Sequence, residues 1–251
     1  MNDAWERFTT PRGRPATAEE RRVLDRAETL SLRAGGELAG YAWGSGPSVC
    51  LAHGWGGHAG QLGAFVEPLV ARGFRVLAVD MPAHGGSPGE RTNLFEFART
   101  LEAVRELFGP LHATIGHSLG AAATVLCAAR GTELGRLVLV AATARLRDEA
   151  VKFARRVGLA EQALLARMEE LHGATIWADT TLVGLAPRAA ERGARVLVVH
   201  DELDREVDFA DGAELARVWP GAELYATSGL GHVALLRSGG VVERVVGFVR
   251  E

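Results

Sequence analysis

The chain has 251 residues, of which 47% are hydrophobic and 24% are charged, and its formal net charge is -3. This length suits one large domain with a sizeable core, and the small negative charge excludes the basic footprint expected of a nucleic-acid-binding or membrane-surface protein. No apolar run approaches the roughly 20 residues of a membrane helix, and the first residues lack a signal-peptide pattern, so we expect a cytoplasmic protein.

Strands and helices alternate along the chain, which predicts a mostly parallel sheet covered by helices on both faces. Gly35 and Gly36 separate the first two strands and indicate an antiparallel hairpin there. The eight predicted strands span residues 29–34, 38–43, 48–53, 74–80, 111–117, 137–142, 195–200 and 222–227. The predicted helices between them span residues 61–72, 94–108, 119–130, 209–218 and 241–250.

Residues 145–192 interrupt this alternation because they are helical and charged, with no convincing strand. Their apolar positions recur at helical intervals, which fits either simple packing onto the domain or a cap that lines a pocket. We therefore expect a helical cap inserted into a core of residues 29–144 and 193–251. Residues 1–28 form an N-terminal extension, with a helix over 18–26, that packs on the sheet edge, covers the site or mediates dimerisation.

The two cysteines are predicted to be core residues. Cys50 falls in a predicted strand and Cys127 in a predicted helix, so neither spacing nor context indicates a disulfide or a metal pair. His200, Asp201 and Asp204 cluster at one strand end, but their spacing offers no complete ligand set for a metal. We expect neither a metal nor a cofactor.

Residues 116–120 read Gly-His-Ser-Leu-Gly, between a buried apolar strand and an alanine-rich helix. This arrangement is typical of a nucleophile elbow, in which a strained turn exposes a serine hydroxyl at the start of a helix. Glycines two positions before and after Ser118 let strand and helix pass closely. Ser118 is therefore a candidate nucleophile.

A serine nucleophile needs a histidine to accept its proton and a carboxylate to orient that histidine. His232 lies in a glycine-rich loop after the last predicted strand, and a carboxylate-rich loop follows the strand before it. The order serine, acid, histidine is the one that this architecture requires. The residues alone leave several acids open, namely Asp201, Glu202, Asp204, Glu206 and Asp208.

From residue 30 onward the chain resembles the α/β-hydrolase family. The resemblance rests on the elbow, on His53-Gly54-Trp55-Gly56 after the third strand, and on a strand that ends in His200 before Asp204 and Val207. It implies an α/β-hydrolase fold with an eight-stranded sheet and a short helical cap. It also implies that Asp204, with Asp201 as the alternative, completes a triad with Ser118 and His232. The backbone amides of Trp55 and Leu119 would form the oxyanion hole.

The resemblance further implies that His53 and His117 brace loops around the site. The expected activity is carboxylic ester hydrolysis through an acyl-enzyme, without a cofactor. Thioesterase, small-peptide or amide hydrolase and carbon-carbon bond hydrolase activities remain alternatives, as does a non-catalytic receptor or scaffold.

We expect a small, largely apolar acyl substrate, no nucleic-acid or membrane partner, and a monomer or homodimer. The expected pocket residues are Trp55, Phe153, Met168, Trp177 and Val207.

Overall fold

The computed structural model describes residues 3–251. Its eight strands form one sheet, and all eight occur where the sequence predicts them, within one or two residues at each end. The strands are β1 (Glu28–Arg33), β2 (Glu37–Trp43), β3 (Ser48–Ala52), β4 (Arg75–Val79), β5 (Leu111–His117), β6 (Arg136–Val140), β7 (Val196–Asp201) and β8 (Glu223–Thr227). Their order across the sheet is β1-β2-β4-β3-β5-β6-β7-β8.

The strands from β3 onward run parallel, while β1 and β2 form the predicted antiparallel hairpin and β2 pairs antiparallel with β4. The register aligns the carboxyl ends of the parallel strands: Ala52 pairs with Gly116, His117 with Val140, and Asp201 with Thr227. The loops after these strands therefore emerge at one edge of the sheet, which is where parallel α/β folds bind ligands.

Helices cover both faces, as the sequence predicts. The α-helices are α1 (Asp3–Thr9), α2 (Ala18–Leu24), α3 (Val66–Val70), α4 (Leu94–Phe108), α5 (Leu119–Arg130), α6 (Leu146–Val157), α7 (Glu161–His172), α8 (Ile176–Asp179), α9 (Leu182–Ala190), α10 (Phe209–Val218), α11 (Gly231–Ala234) and α12 (Gly239–Arg250). Buried side chains of α4, α5, α9 and α10 fill one core layer, and those of α3 and α12 fill the other. Cys50 and Cys127 are both buried, as predicted for core residues.

The predicted helix over residues 61–72 is wrong in its form. The structure has a 3-10 helix at Ala59–Phe65, followed by the short α3. Gly60 and Gly63 weaken an α-helix here, and Pro68 has no amide hydrogen to continue one. Pro68 instead occupies the first turn of α3, where a helix tolerates proline.

Residues 145–192, which we call the cap, contain four α-helices, α6 to α9. α6 and α7 pack against each other and contact α1, whereas α9 packs against α5 and α10. The segment begins at a polar anchor: the Ala144 amide donates to the Asp211 carboxylate at 2.9 Å, and Arg145 pairs with Glu214 at 2.7 Å. Within residues 3–251, no helix combines the length and apolar character needed to cross a bilayer.

Candidate active site

Ser118 lies in a tight turn between β5 and α5. Its backbone has φ 52° and ψ -118°, a conformation that non-glycine residues rarely adopt, and its amide donates to the Val140 carbonyl at 2.9 Å. A Cβ on Gly116 would lie 2.6 Å from the Ala121 backbone, and one on Gly120 would lie 2.3 Å from the Ala52 carbonyl oxygen. The close approach of strand and helix therefore requires both glycines.

His232 and Asp204 meet at the carboxyl edge of the sheet. The Nδ1 atom of His232 lies 2.7 Å from an Asp204 carboxylate oxygen, and the Asp204 side chain is fully buried. The other carboxylate oxygen accepts the amides of Glu206 at 2.8 Å and Val207 at 3.1 Å. Burial acts to raise the pKa of Asp204, but hydrogen bonds from His200 and His232 outweigh it and hold that pKa well below its ordinary value. Asp204 is thus a buried carboxylate facing one ring nitrogen of His232.

Asp201, the alternative acid, has other partners. Its carboxylate accepts hydrogen bonds from the Thr227 hydroxyl at 2.7 Å and from the amides of Leu203, Gly229 and Leu230 at 2.9 to 3.2 Å. Burial opposes ionisation, but these donors lower the pKa of Asp201 to about 2. Asp201 therefore ties the loop after β7 to the loop that leads to His232.

His200 supports Asp204 from beneath. Its side chain is fully buried, and its Nε2 lies 3.1 Å from the Val207 carbonyl and 3.5 Å from the Asp204 carboxylate. A Cβ on Gly212 would lie 2.3 Å from the His200 ring, so that glycine leaves the space the ring occupies. His200, the histidine near the end of β7, thus helps to hold the loop that carries Asp204.

The turn after β3 brings Trp55 to the same edge. The Gly57 amide donates to the Gly54 carbonyl at 3.1 Å, and the Gly56 amide donates to His84 at 2.9 Å. The Trp55 amide, immediately before these two, donates no hydrogen bond within residues 3–251. Leu119 is the first residue of α5, and the first amides of a helix have no acceptor inside it. The turn that carries Trp55 passes close to Ser118, since a Cβ on Gly54 would lie 2.9 Å from the Ser118 Cβ.

Two buried histidines brace these loops, as the resemblance implies. His53 donates from Nδ1 to the Gly54 carbonyl at 2.7 Å and accepts the Met81 amide at 3.0 Å. His117 donates from Nε2 to the His232 carbonyl at 3.0 Å. Burial lowers the pKa of each to about 3, so both rings are neutral near neutral pH and serve as hydrogen-bonding braces.

A cavity of about 240 Å³ opens above Ser118, and its wall is more apolar than polar. The expected site residues that line it are Trp55, Ser118, Leu119, Phe153, Met168, Val207 and His232. Trp177 is not part of this wall among residues 3–251. Its indole nitrogen donates to Glu169 at 2.6 Å, and its half-buried ring packs against buried core side chains, so the expectation that Trp177 lines this cavity is wrong.

Several cavity residues went unrecognised in the sequence. Trp5 and Phe8 of α1 line the wall, as does Lys152, the single lysine of the chain. Lys152 lies 3.0 Å from Glu149, and burial raises the pKa of that carboxyl. The amphipathic pattern of α6 marks an inward face, but nothing in the sequence says that α1 reaches the same cavity.

In the described part of the chain, no three His, Cys, Asp or Glu side chains are placed to hold a metal ion. The arrangement around Ser118 has parts that acyl transfer uses: a strained serine, a histidine bonded to a buried carboxylate, the first amide of a helix, and a turn amide without an acceptor.

Comparison with known proteins places the chain among the hydrolases. Residues 46–175, about half of the chain, match the hydrolase family described as serine aminopeptidase, S33. The pimeloyl-(acyl-carrier protein) methyl ester esterase of Chromobacterium violaceum is 40% identical over 112 residues, which cover 42% of this chain and 41% of that protein. The enzyme of the same name from Nitrosomonas europaea is 34% identical over 101 residues, or 40% of this chain and 39% of its own length. The chain thus spans about two fifths of the length of these relatives.

A solved structure of an esterase from Exiguobacterium antarcticum superposes with a TM-score of 0.67 at 17% identity, covering 89% of this chain and 100% of that one. At this identity the structural similarity supports the fold alone, and that fold is the α/β-hydrolase architecture that the sequence predicts. The chain belongs to the serine aminopeptidase S33 family of hydrolases and has the α/β-hydrolase fold.

Proposed function

We propose that this protein hydrolyses carboxylic esters of apolar acyl groups through an acyl-enzyme formed on Ser118. The observation that carries the proposal is the 2.7 Å contact between His232 Nδ1 and the buried Asp204 carboxylate, at the mouth of a cavity that Ser118 also lines. A carboxylate at Nδ1 fixes the tautomer that leaves Nε2 free to accept a proton.

In the first half of the reaction, His232 Nε2 accepts the proton of the Ser118 hydroxyl while Oγ attacks the ester carbonyl carbon. The carbonyl oxygen becomes negatively charged, and the amides of Trp55 and Leu119 donate to it. Asp204 stays ionised throughout and stabilises the imidazolium, which fits its depressed pKa. The protonated His232 then gives its proton to the departing alkoxide, and the carbon-oxygen bond of the alcohol breaks.

In the second half, water replaces the alcohol. His232 accepts a proton from the water, whose oxygen attacks the acyl carbon, and the same amides hold the oxyanion. Collapse of this intermediate breaks the bond to Ser118 Oγ, which regains its proton from His232, and the carboxylic acid leaves. Each half uses the same base and the same donors, so no further catalytic group is required.

An ester with an apolar acyl group suits the cavity better than a charged one. Trp55, Phe153, Met168 and Val207 present apolar surface, and the cationic Lys152 is already paired with Glu149. The names of the two bacterial relatives add methyl esters to the candidate substrates, and the family description, serine aminopeptidase, adds peptides.

The test is hydrolysis of p-nitrophenyl acetate, butyrate and octanoate by the full chain and by Ser118→Ala. We expect turnover of at least one ester, and a loss of kcat of about 10⁴-fold or more in Ser118→Ala with an unchanged melting temperature. Equal turnover in both proteins would overturn the proposal.

The alternatives need matched substrates with the same acyl group. A butyryl thioester, butyryl p-nitroanilide and alanyl p-nitroanilide separate thioesterase, amidase and aminopeptidase activities from ester hydrolysis. Turnover of the alanyl anilide above the esters would favour a peptidase. Negligible turnover of all of them, with ligand binding retained, would favour a receptor.

A further inference from the structure

The N-terminal helix α1 stands apart from the sheet but contributes to the cavity above Ser118. Trp5 and Phe8, one helical turn apart, both line the cavity wall. Both side chains are half-buried, so each keeps apolar surface that the surrounding protein does not cover. Exposed aromatic surface inside a cavity is available to an apolar ligand.

Aromatic contacts join α1 to the cap. The Trp5 ring lies 5.5 Å from the His172 ring of α7, and the Phe8 ring meets the Phe153 ring of α6 edge-on at 5.2 Å. Phe95, at the start of α4, lies 5.1 Å from the other side of His172. One stretch of wall is therefore built from α1, the two cap helices and α4.

The segment that carries α1 is held in place beyond the helix. We call residues 3–24 the N-terminal strap. The Thr92 amide donates to the Thr9 carbonyl at 2.8 Å, and the Arg12 carbonyl lies so close to Gly56 that a Cβ there would be 3.0 Å away. The strap thus crosses the turn that presents the Trp55 amide.

A buried ion cluster fixes the other end of the strap. Glu20 of α2 accepts Arg14 at 2.5 Å and Arg237 at 2.7 Å, and only 5% of its side chain is exposed. Arg237 follows the loop of His232, so the strap is tied to the core on both sides of the site. Held in this way, α1 is a fixed wall rather than a loose tail.

We propose that Trp5 and Phe8 determine acyl-chain specificity: they close the cavity and limit the length of an unbranched apolar acyl chain attached to the ester. This assignment rests on the proposed function for the identity of the ligand. Their aromatic contacts go to the cap and to each other, so they act on the chain away from the reacting carbonyl.

The test compares the full chain with Trp5→Ala, Phe8→Ala and, as a matched control, Trp177→Ala, whose side chain lies outside the cavity wall. The kcat/KM is measured for p-nitrophenyl esters from acetate to dodecanoate. We expect the optimum in Trp5→Ala and Phe8→Ala to move at least two carbons toward longer chains. The ratio of decanoate to acetate kcat/KM should rise about tenfold, since one methylene in an apolar pocket commonly changes specificity by that order. The control should keep the profile of the unchanged protein.

Two outcomes would overturn the assignment: an unchanged chain-length profile, or an equal loss for all chain lengths including acetate. The second result would mean that Trp5 and Phe8 only brace the cap.

A binding measurement keeps the assignment testable if the proposed function fails. Affinities of methyl butyrate, hexanoate, octanoate and decanoate for Ser118→Ala, with and without Trp5→Ala, are measured by calorimetry. A shift of the preferred chain length caused by Trp5→Ala supports the assignment of Trp5 as a limit on acyl-chain length, even if the unchanged protein hydrolyses no ester. An identical preference in both proteins refutes it.

Discussion

The reactive end of the cavity and its apolar wall are built in different ways. Around Ser118, short loops at adjacent strand ends are fixed by hydrogen bonds to buried acceptors such as Asp201 and Asp204. The wall comes from α1, α6 and α7, three helices distant in sequence, and half-buried aromatic side chains hold it together. The chemistry is thus placed by the sheet, whereas the fit to substrate depends on packing between segments.

The largest expected effect on kcat distinguishes Asp204 from Asp201 at the reactive end. Asp204→Asn should lower kcat about 10⁴-fold, because an amide does not select the required histidine tautomer or stabilise an imidazolium. Asp201→Asn should keep kcat within about tenfold, since Asp201 contacts the loop rather than the ring. Its cost is about 1 to 3 kcal/mol in the free energy of unfolding, because a donor replaces an acceptor of buried hydrogen bonds. Ester kinetics and urea denaturation of both variants check this, and the reverse ranking would make Asp201 the acid.

The second prediction concerns the elbow. Gly120→Ala places a Cβ 2.3 Å from the Ala52 carbonyl oxygen, and both groups belong to backbone that cannot move without shifting β3 or α5. We expect a loss of about 3 kcal/mol or more in the free energy of unfolding. Gly247→Ala in α12 is the control, since a Cβ there meets no atom within 4 Å. It should raise stability by about 0.5 to 1 kcal/mol. A tolerated Gly120→Ala would show that strand and helix are not in tight contact.

The third prediction concerns the anchor of the strap. Burial acts to raise the pKa of Glu20, but hydrogen bonds from Arg14 and the Thr17 amide lower it to about 2, from an ordinary value of 4.5. A lowered pKa stabilises the folded state above pH 4.5, and this stabilisation is lost as the pH falls toward 2. Glu20→Gln should cost about 1 to 3 kcal/mol at pH 7.

The Glu20→Gln difference from the unchanged protein should shrink on acidification. Urea denaturation at pH 7 and pH 3 measures it, with the exposed neighbour Glu19→Gln as control. A difference that is the same at both pH values would contradict the role of the ionised carboxylate.

The smallest effect is expected at the charged edge of the cap. Lys152→Met should change kcat/KM for neutral esters less than about threefold, because Lys152 pairs with the partly exposed Glu149 and such pairs contribute little. A larger loss would mean that the cap supplies charge to the substrate. The division between a reactive end and an apolar wall would then fail.

Much of the fold and of the reactive end follows from sequence because local patterns encode it. Alternating apolar strands and helices placed all eight strands, and the strand ends led to Ser118 and His232 as candidates. The strand ends left five acids open, and the choice of Asp204 among them came from the family resemblance. The contacts that build the cavity wall could not be predicted from such local patterns. Trp5 meets His172 and Phe8 meets Phe153 across more than 140 residues of chain, and no local period or turn signal reports such a contact. Trp177 shows the converse, since an aromatic residue on a cap helix need not face the cavity.

The central claim is that Ser118 is the nucleophile and that His232 activates it. The most direct measurement treats the full chain with a fluorophosphonate and maps the adduct by peptide mass spectrometry. We predict one adduct per chain, on Ser118, that is absent in Ser118→Ala and forms at least about 10³-fold more slowly in His232→Ala. An adduct on another residue, or equal labelling rates in the unchanged protein and His232→Ala, would contradict the account.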